Sequence, residues 1–424
     1  MNRSPRPALC GPANRFFRRL WLAQSISVFG DYLAMFAVQA SIVFRMHGSA
    51  REVSGVLLAS LIPAIALGPI AGVFADRSNP LRVMVASDGL RAALVLLLAC
   101  ASRLSQGFWY LCAICFTIGC VSVFFVPAQA VAIPLLVDRG QLLAASALMQ
   151  QTLQVARVAS PAVAGTLVAH FGENACYVAD AVSFVFSAAM LATLRCERVP
   201  TRRVSVTDAK PKNSLAGVAR EFREGAGYVF AHPELSFATV SMAAGTFAAG
   251  CFSALAAIYV RDVLHAGAEV YGAIGSLVAL GALAGSLAIG RMARSCGRET
   301  LIAAGMGVVG AAILLIAAFP AALVTGVASV GIGYGASMAL IAASALLRER
   351  TPEELRGRGS SVSMSLMSAA QAGAIVFAGS CTARLGVRAV YALSAAMLLA
   401  QPAHRYFRRG TSRSGPSACF QSPP

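Results

Sequence analysis

Apolar stretches long enough to cross a bilayer as helices, roughly 20 residues each, recur along this chain. They fall at about 20–44, 53–75, 83–102, 108–133, 146–169 and 176–194, then again at about 236–260, 270–290, 301–319, 322–347, 360–382 and 388–401. Between the two sets lies a polar stretch, 195–234, with eight Lys or Arg residues and Pro200, Pro211 and Pro233. Backbone in lipid must satisfy its own polar groups, and runs of this length do so as helices. The expectation is an all-α membrane protein with twelve transmembrane helices. Composition agrees, with 57% hydrophobic and only 12% charged residues, against about 25% charged in soluble proteins. A cytosolic enzyme, a nucleic-acid-binding domain and a disordered regulator are excluded.

The net charge of +17 would suggest nucleic acid in a soluble chain, but here its placement matters more. With the amino terminus inside, 27 of the 35 Lys and Arg fall on segments predicted to be cytoplasmic and six on outer loops. That asymmetry orients the chain with both termini cytoplasmic and needs no nucleic-acid partner. The predicted organisation is a tail at 1–19, a six-helix bundle at 20–194, a basic cytoplasmic linker at 195–234, a second six-helix bundle at 235–403 and a tail at 404–424. The first nineteen residues are basic and carry Pro5, Pro7 and Pro12, so they read as a tail and not as a cleaved signal. The last apolar segment is short and Pro402 follows it, which leaves open a truncated or altered end.

The halves repeat weakly. Shifted by 217 positions, Val53 meets Val270, Gly55 meets Gly272, Gly68 meets Gly285 and Arg77 meets Arg294. Parallel six-helix repeats are one way secondary transporters are built, with substrate bound near midplane between them. Spaced glycines, such as Gly68 and Gly72 or Gly281 and Gly285, are expected to let helices approach closely.

Between the second and third segments stands Gly72-Val-Phe-Ala-Asp76-Arg77-Ser-Asn-Pro-Leu-Arg82. It resembles the signature loop of the major facilitator superfamily, with Asn79 and Pro80 departing from the usual Gly and basic residue. Other strings resemble the branch of enterobactin-type siderophore exporters and macrolide efflux proteins. They are Asn14–Trp21 leading into Ser27-Val-Phe-Gly-Asp31, Asp88-Gly-Leu-Arg91, Phe125–Pro134 and Asp180-Ala-Val-Ser-Phe184. The resemblance implies the two-bundle fold and export from the cytoplasm driven by inward proton flow. It also implies a gating role for the loop, with Asp76 set against the start of helix 11. There Asp76 and Arg358 would latch the halves, while Arg77 and Arg82 hold the loop and the lipid surface. The plainer alternative is a topology signal.

Charges inside the apolar segments are the sharper clue, because a buried Asp costs about 2.5–3.5 kcal/mol on insertion scales. Asp31 in helix 1 and Arg157 in helix 5 lie at similar depth, roughly 16 Å into their spans at 1.5 Å per residue. Desolvation favours the protonated acid and a neighbouring guanidinium favours the carboxylate, so an acid between them can take and release a proton. Asp31 is accordingly the candidate proton-coupling group. Arg157 is its modulator or a contact for an anionic substrate, and a static ion pair is the alternative. Gln150, Gln154, Arg157, Pro161 and Gly165 fall on one face of helix 5, and a polar stripe on a membrane helix should face protein or a wet cavity. Ser160-Pro161 with Gly165 resembles the antiporter motif of helix 5, with Ser160 replacing its usual glycine. The Arg-x-x-Gln-Gly signature of helix 4 is missing, which removes one proton route. Asp88 and Arg91 are three apart and can touch, as a pair supporting the loop from the cytoplasmic side.

The interiors of the second set lack acidic residues. Ser361, Ser365 and Ser368 share a face of helix 11 and, with Gln24, Gln150 and Gln154, are the candidate cavity residues. Such a lining suits a bulky, partly polar organic molecule better than an inorganic ion. His47, His170 and His265 show no ligand spacing, and the Cys112-x-x-Cys115 pair sits alone in an apolar helix, so neither metal nor redox chemistry is indicated. With no Walker or catalytic constellation, no cofactor is expected and the chain does not read as an enzyme. The expected partners are a small-molecule substrate, protons and the lipid bilayer, with the chain a monomer in the inner membrane. An importer and a non-transporting membrane sensor are the competing readings.

Overall fold

The computed structural model describes residues 15–101, 107–137, 141–196, 215–293 and 295–412. Among them the chain is helical and shows no strand. The first half comprises α1 (Arg15–Ala40, continued by a π-helical turn Ser41–Arg45), α2 (Ala50–Arg77), α3 (Pro80–Ala101), α4 (Phe108–Leu136), α5 (Leu142–Phe171) and α6 (Glu173–Cys196). A shorter helix, α7 (Leu215–Ala231), precedes the second half. That half comprises α8 (Pro233–Asp262), α9 (Ala268–Met292), α10 (Arg298–Ala318), α11 (Ala322–Arg350), α12 (Glu353–Leu385) and α13 (Val387–Ser412). Ten of these helices are long and apolar enough to cross a membrane. The other two long ones, α5 and α13, occupy the fifth and twelfth predicted positions.

Two expectations need adjusting. The last helix does not end near 401 but continues to Ser412, with only its Val387–Gln401 part apolar. The linker is not simply polar, for α7 lies within it, while 197–214 are outside the described residues, as are 1–14 and 413–424 of the tails.

The halves share one neighbour pattern. In the first, α2 packs on α4, α1 on α5 and α6, and α3 on α4 and α6. In the second, α9 packs on α11, α8 on α12 and α13, and α10 on α11 and α13. Details of the backbone repeat as well. His47 after α1 and His265 after α8 have φ of 51° and 52°, and Gly172 after α5 and Gly386 after α12 have φ of 77° and 79°. Each glycine caps its helix from the left-handed region, donating its N–H to Val168 O or Thr382 O.

The halves meet through α5 against α9 and α2 against α12. Gly272 lies under the Pro161 carbonyl with Gly165 beside it, so a side chain there would drive α5 and α9 apart. Gly379 meets Ser54 on the opposite seam. Gly281 and Gly285 also pack closely, against Val330, Tyr334 and Ser337 of α11, but Gly68 and Gly72 have open space where a Cβ would stand. Close approach is thus the role of the second-half pair and not of the first.

Cross-half hydrogen bonds gather at the end where α1 finishes and α9 begins. Tyr271 donates to Gln39 Oε1 (3.1 Å) and stacks on Phe36 at 4.4 Å between centroids. Arg261 Nη1 donates to Val43 O (2.8 Å) and Gly48 O (3.0 Å), and the Ala162 N–H donates to Ser276 Oγ (3.0 Å). Toward the other end the same helix faces are open. On α5 the stripe that packs at Pro161 and Gly165 is exposed at Gln154 and Gln150. On α12 the face that meets α2 at Gly379 is exposed at Ser368, Ser365 and Ser361. A cleft therefore separates the halves and opens toward the end where α1 begins.

Candidate functional site

The charged groups of the first half converge on Arg91, half way along the 22-residue α3. Its Nη2 pairs with Asp88 one turn earlier, and its Nη1 lies 3.6 Å from Asp31 Oδ2 on α1. The other Asp88 oxygen accepts a hydrogen bond from Ser187 Oγ of α6 at 2.6 Å. Two aromatic rings lie against the guanidinium: Phe125 of α4 at 4.5 Å and Phe184 of α6 at 4.3 Å. Exposure rises along the chain of charges, from 0% for the Asp88 side chain to 5% for Arg91 and 43% for Asp31.

Local sequence explains the convergence. A Cβ on Gly30 would strike Asp180 Oδ1 and Ser183 Oγ, so a glycine there lets α1 lie against α6 and leaves the next residue, Asp31, to face α3. Asp180 is buried, takes a hydrogen bond from Ser183 Oγ on Oδ1 (3.2 Å) and lies within electrostatic reach of Asp31. Two carboxylates thus pair with one guanidinium, and a third, Asp180, is buried behind Gly30 on α6.

Arg157 is not part of this knot. It stands half way along the 30-residue α5, exposed, and donates from Nε to the Tyr32 hydroxyl at 2.7 Å. The guanidinium facing Asp31 is that of Arg91, because α6, on which α3 packs, flanks that side of α1 while α5 flanks the side of Phe29 and Tyr32. Asp88 and Arg91 touch, as their spacing predicts, with Arg91 half way along α3. Gln24 is buried and not open to the cleft, its Oε1 accepting from Gln129 Nε2 of α4 at 3.0 Å. Gln150, Gln154, Ser361, Ser365 and Ser368 are exposed, and Ser361 returns its hydroxyl to Gly357 O (2.9 Å).

At the signature loop Arg77 and Arg82 are exposed, and Gly72 is half-buried. The side chain of Asp76 is outside the described residues. Asn79 accepts the Arg82 N–H on Oδ1 (3.2 Å), just before Pro80, the first residue of α3. The two departures from the family pattern therefore make a capped helix start. Arg358 pairs with Glu224 of α7 at 2.8 Å, and Gly225 lies against the Arg358 backbone. Sequence reasoning missed α7, as well as Tyr32, Ser187 and the two rings around Arg91. Phe125 and Phe184 were nonetheless visible inside two of the quoted strings.

Two like helical halves, a cleft between them and mid-helix charges on its wall define a membrane transporter of the major facilitator class. The chain belongs to the transmembrane secretion effector family of that superfamily, whose family model matches residues 8–415. It is 24% identical over 390 residues to macrolide efflux protein A of Streptococcus pyogenes, a match covering 90% of this chain and 93% of that one. The MFS-type transporter YfiS of Bacillus subtilis is 31% identical over 181 residues, where the match spans 41% of this chain and only 40% of the relative. Among solved structures, a bacterial homologue of the iron transporter ferroportin in its inward-facing state superposes with a TM-score of 0.71 at 15% identity, over 92% of this chain and 97% of that one. A bacterial homologue of the lysosomal transporter Spinster, inward-facing and unoccupied, gives 0.68 at 13% identity over 93% and 95%. At these identities the two structures speak to the fold alone.

Proposed function

We propose that this chain exports a small organic molecule from the cytoplasm by alternating access, driven by protons moving inward. It does so as a monomer in the inner (cytoplasmic) membrane, with twelve spans and both termini cytoplasmic. The cleft between the halves then faces the cytoplasm, and the contacts around Tyr271 and Arg261 close the outer end. The observation that carries the reading is the graded knot of Asp88, Arg91 and Asp31. An excess of carboxylates over guanidinium in a low-dielectric interior is balanced by taking up protons. Asp31 is the half-exposed member of the knot, so it is the one placed to exchange protons with water, while Asp88 and the two rings hold Arg91 in position.

The cargo is a siderophore or other secondary metabolite in the reading the branch strings favour. The macrolide efflux relatives favour a drug-like molecule instead. Comparing medium and cell extract of the native strain with those of a deletion strain, in iron-poor and iron-rich media, separates the two. A compound lost from the medium only under iron limitation supports the siderophore, and altered macrolide susceptibility with an unchanged profile supports the drug.

Coupling is tested with Asp31→Asn in inside-out vesicles. The variant should reach the membrane at normal level and lose transport driven by the pH gradient. A full response to the gradient in that variant would rule out Asp31 as the coupling group.

A further inference from the structure

Two arginines lie at mid-depth in the first half, and their surroundings differ. Arg91 is buried against two carboxylates. Arg157 has no carboxylate within 4.0 Å among the described residues, and its one hydrogen bond there is to the neutral Tyr32 hydroxyl. A cation at the centre of a membrane helix is costly and normally finds an opposite charge. We infer that Arg157 takes its counter-charge from the cargo, so that the exported molecule carries an anionic group such as a carboxylate, bound at this arginine. The inference rests on the efflux reading above and names the substrate class of that same cleft.

The geometry favours this. Gln150, Gln154, Arg157, Pro161 and Gly165 share an arc of roughly 80° on α5. The outer members of that arc pack on α9, so Arg157 stands on the cleft wall where the two helices part. Tyr32 holds Nε and, among the described residues, leaves both Nη groups free. Those are the fork that grips a carboxylate or phosphate through two parallel hydrogen bonds. Gln154 and Gln150, exposed on the same face, offer neutral donors and acceptors to the rest of the molecule. A cationic cargo finds less here, because the nearby Asp31 already faces Arg91 at 3.6 Å. Outward movement of an anion also runs with an inside-negative membrane potential.

The test uses the cell's own small-molecule pool as the probe. A deletion strain is complemented with the wild type, Arg157→Gln, Arg157→Lys or Tyr32→Phe at equal protein level, and medium and extracts are profiled by mass spectrometry. Compounds that the wild type returns to the medium should be anionic at neutral pH. Arg157→Gln should lower their export about tenfold or more, the scale of one lost charge-assisted hydrogen bond. Arg157→Lys keeps the charge without the fork and should retain part of the export. Tyr32→Phe should weaken it less than Arg157→Gln does. Restored compounds that are neutral or cationic, or equal restoration by Arg157→Gln, would overturn the inference and leave efflux standing. If the wild type restores no compound, efflux itself falls, and the inference with it.

Discussion

Replacing Arg91 by Met removes the guanidinium from a carboxylate whose side chain is 0% exposed. Breaking a buried pair by deleting one partner costs about 3–5 kcal/mol, because the surviving charge stays behind without compensation. The ring contacts at 4.5 and 4.3 Å are lost as well, each worth about 0.5–2 kcal/mol. Against a total stability of about 5–15 kcal/mol, Arg91→Met should therefore be severely destabilised. Asp31→Asn should cost less than about 1 kcal/mol, since exposed pairs are weak and its side chain is 43% exposed at 3.6 Å from Arg91. Adding Asp88→Asn to Arg91→Met should recover part of the loss, because it removes the stranded charge. The assay is an SDS titration in mixed micelles followed by tryptophan fluorescence; Trp21, whose Nε1 donates to Thr152 Oγ1 of α5 at 2.8 Å, reports on α1 against α5. If Arg91→Met costs no more than Asp31→Asn, or the double variant is worse than the single ones summed, the stability of this half does not rest on the knot.

The seam between the halves gives two further expectations. Gly272→Ala should prop α5 from α9 at an overpacking cost of about 1–3 kcal/mol. A cysteine at Gln39 should then react several-fold faster with an impermeant maleimide applied from outside, and unchanged labelling would count against that seam as the outer closure. Glu224→Gln and Arg358→Gln should be coupled by about 0.2–1 kcal/mol, as an exposed pair is, and the coupling should fade in high salt. Asp76→Ala and Arg358→Ala should act non-additively on export, whereas independent effects would argue against the latch.

The class of fold was legible because hydropathy is a one-dimensional signal. Apolar length marks spans, and that signal survives without knowing which helix touches which. Counting along a helix sets Asp31 and Arg157 at similar depth, but it reads Arg91 as lying toward the cytoplasmic side, whereas Arg91 stands half way along α3. Pairing around a helix was not legible. Asp31 and Tyr32 are adjacent in sequence yet point about 100° apart, one to Arg91 and the other to Arg157. Choosing between the two arginines required knowing that α6 packs against Gly30. The strings around Asp31, Asp88, Phe125 and Phe184 looked like separate marks of kinship, but in three dimensions each supplies one wall of a single pocket around Arg91. The helix α7 escaped notice because a 17-residue amphipathic segment holding Gly225 and Gly227 has neither the apolar length of a span nor strong helix propensity.

The distribution of strong and weak contacts bears on how such a molecule can move. Inside the first half, the buried pair and its rings are worth several kcal/mol together. Between the halves the polar part of the closure, among the described residues, includes four hydrogen bonds, those of Tyr271, of Arg261 to two carbonyls and of the Ala162 amide, beside the close packing of α5 on α9 and α2 on α12. Net contributions of about 0.5–1.5 kcal/mol for each bond sum to a few kcal/mol. Moving a two-state equilibrium from one extreme to the other takes about 5.5 kcal/mol, so under the proposed mechanism a bound proton and a bound cargo would be perturbations of the right size. On these magnitudes the least costly motion separates half from half at the α5–α9 and α2–α12 seams. The Arg91 knot would travel intact within its half, carrying Asp31 from one side's water to the other.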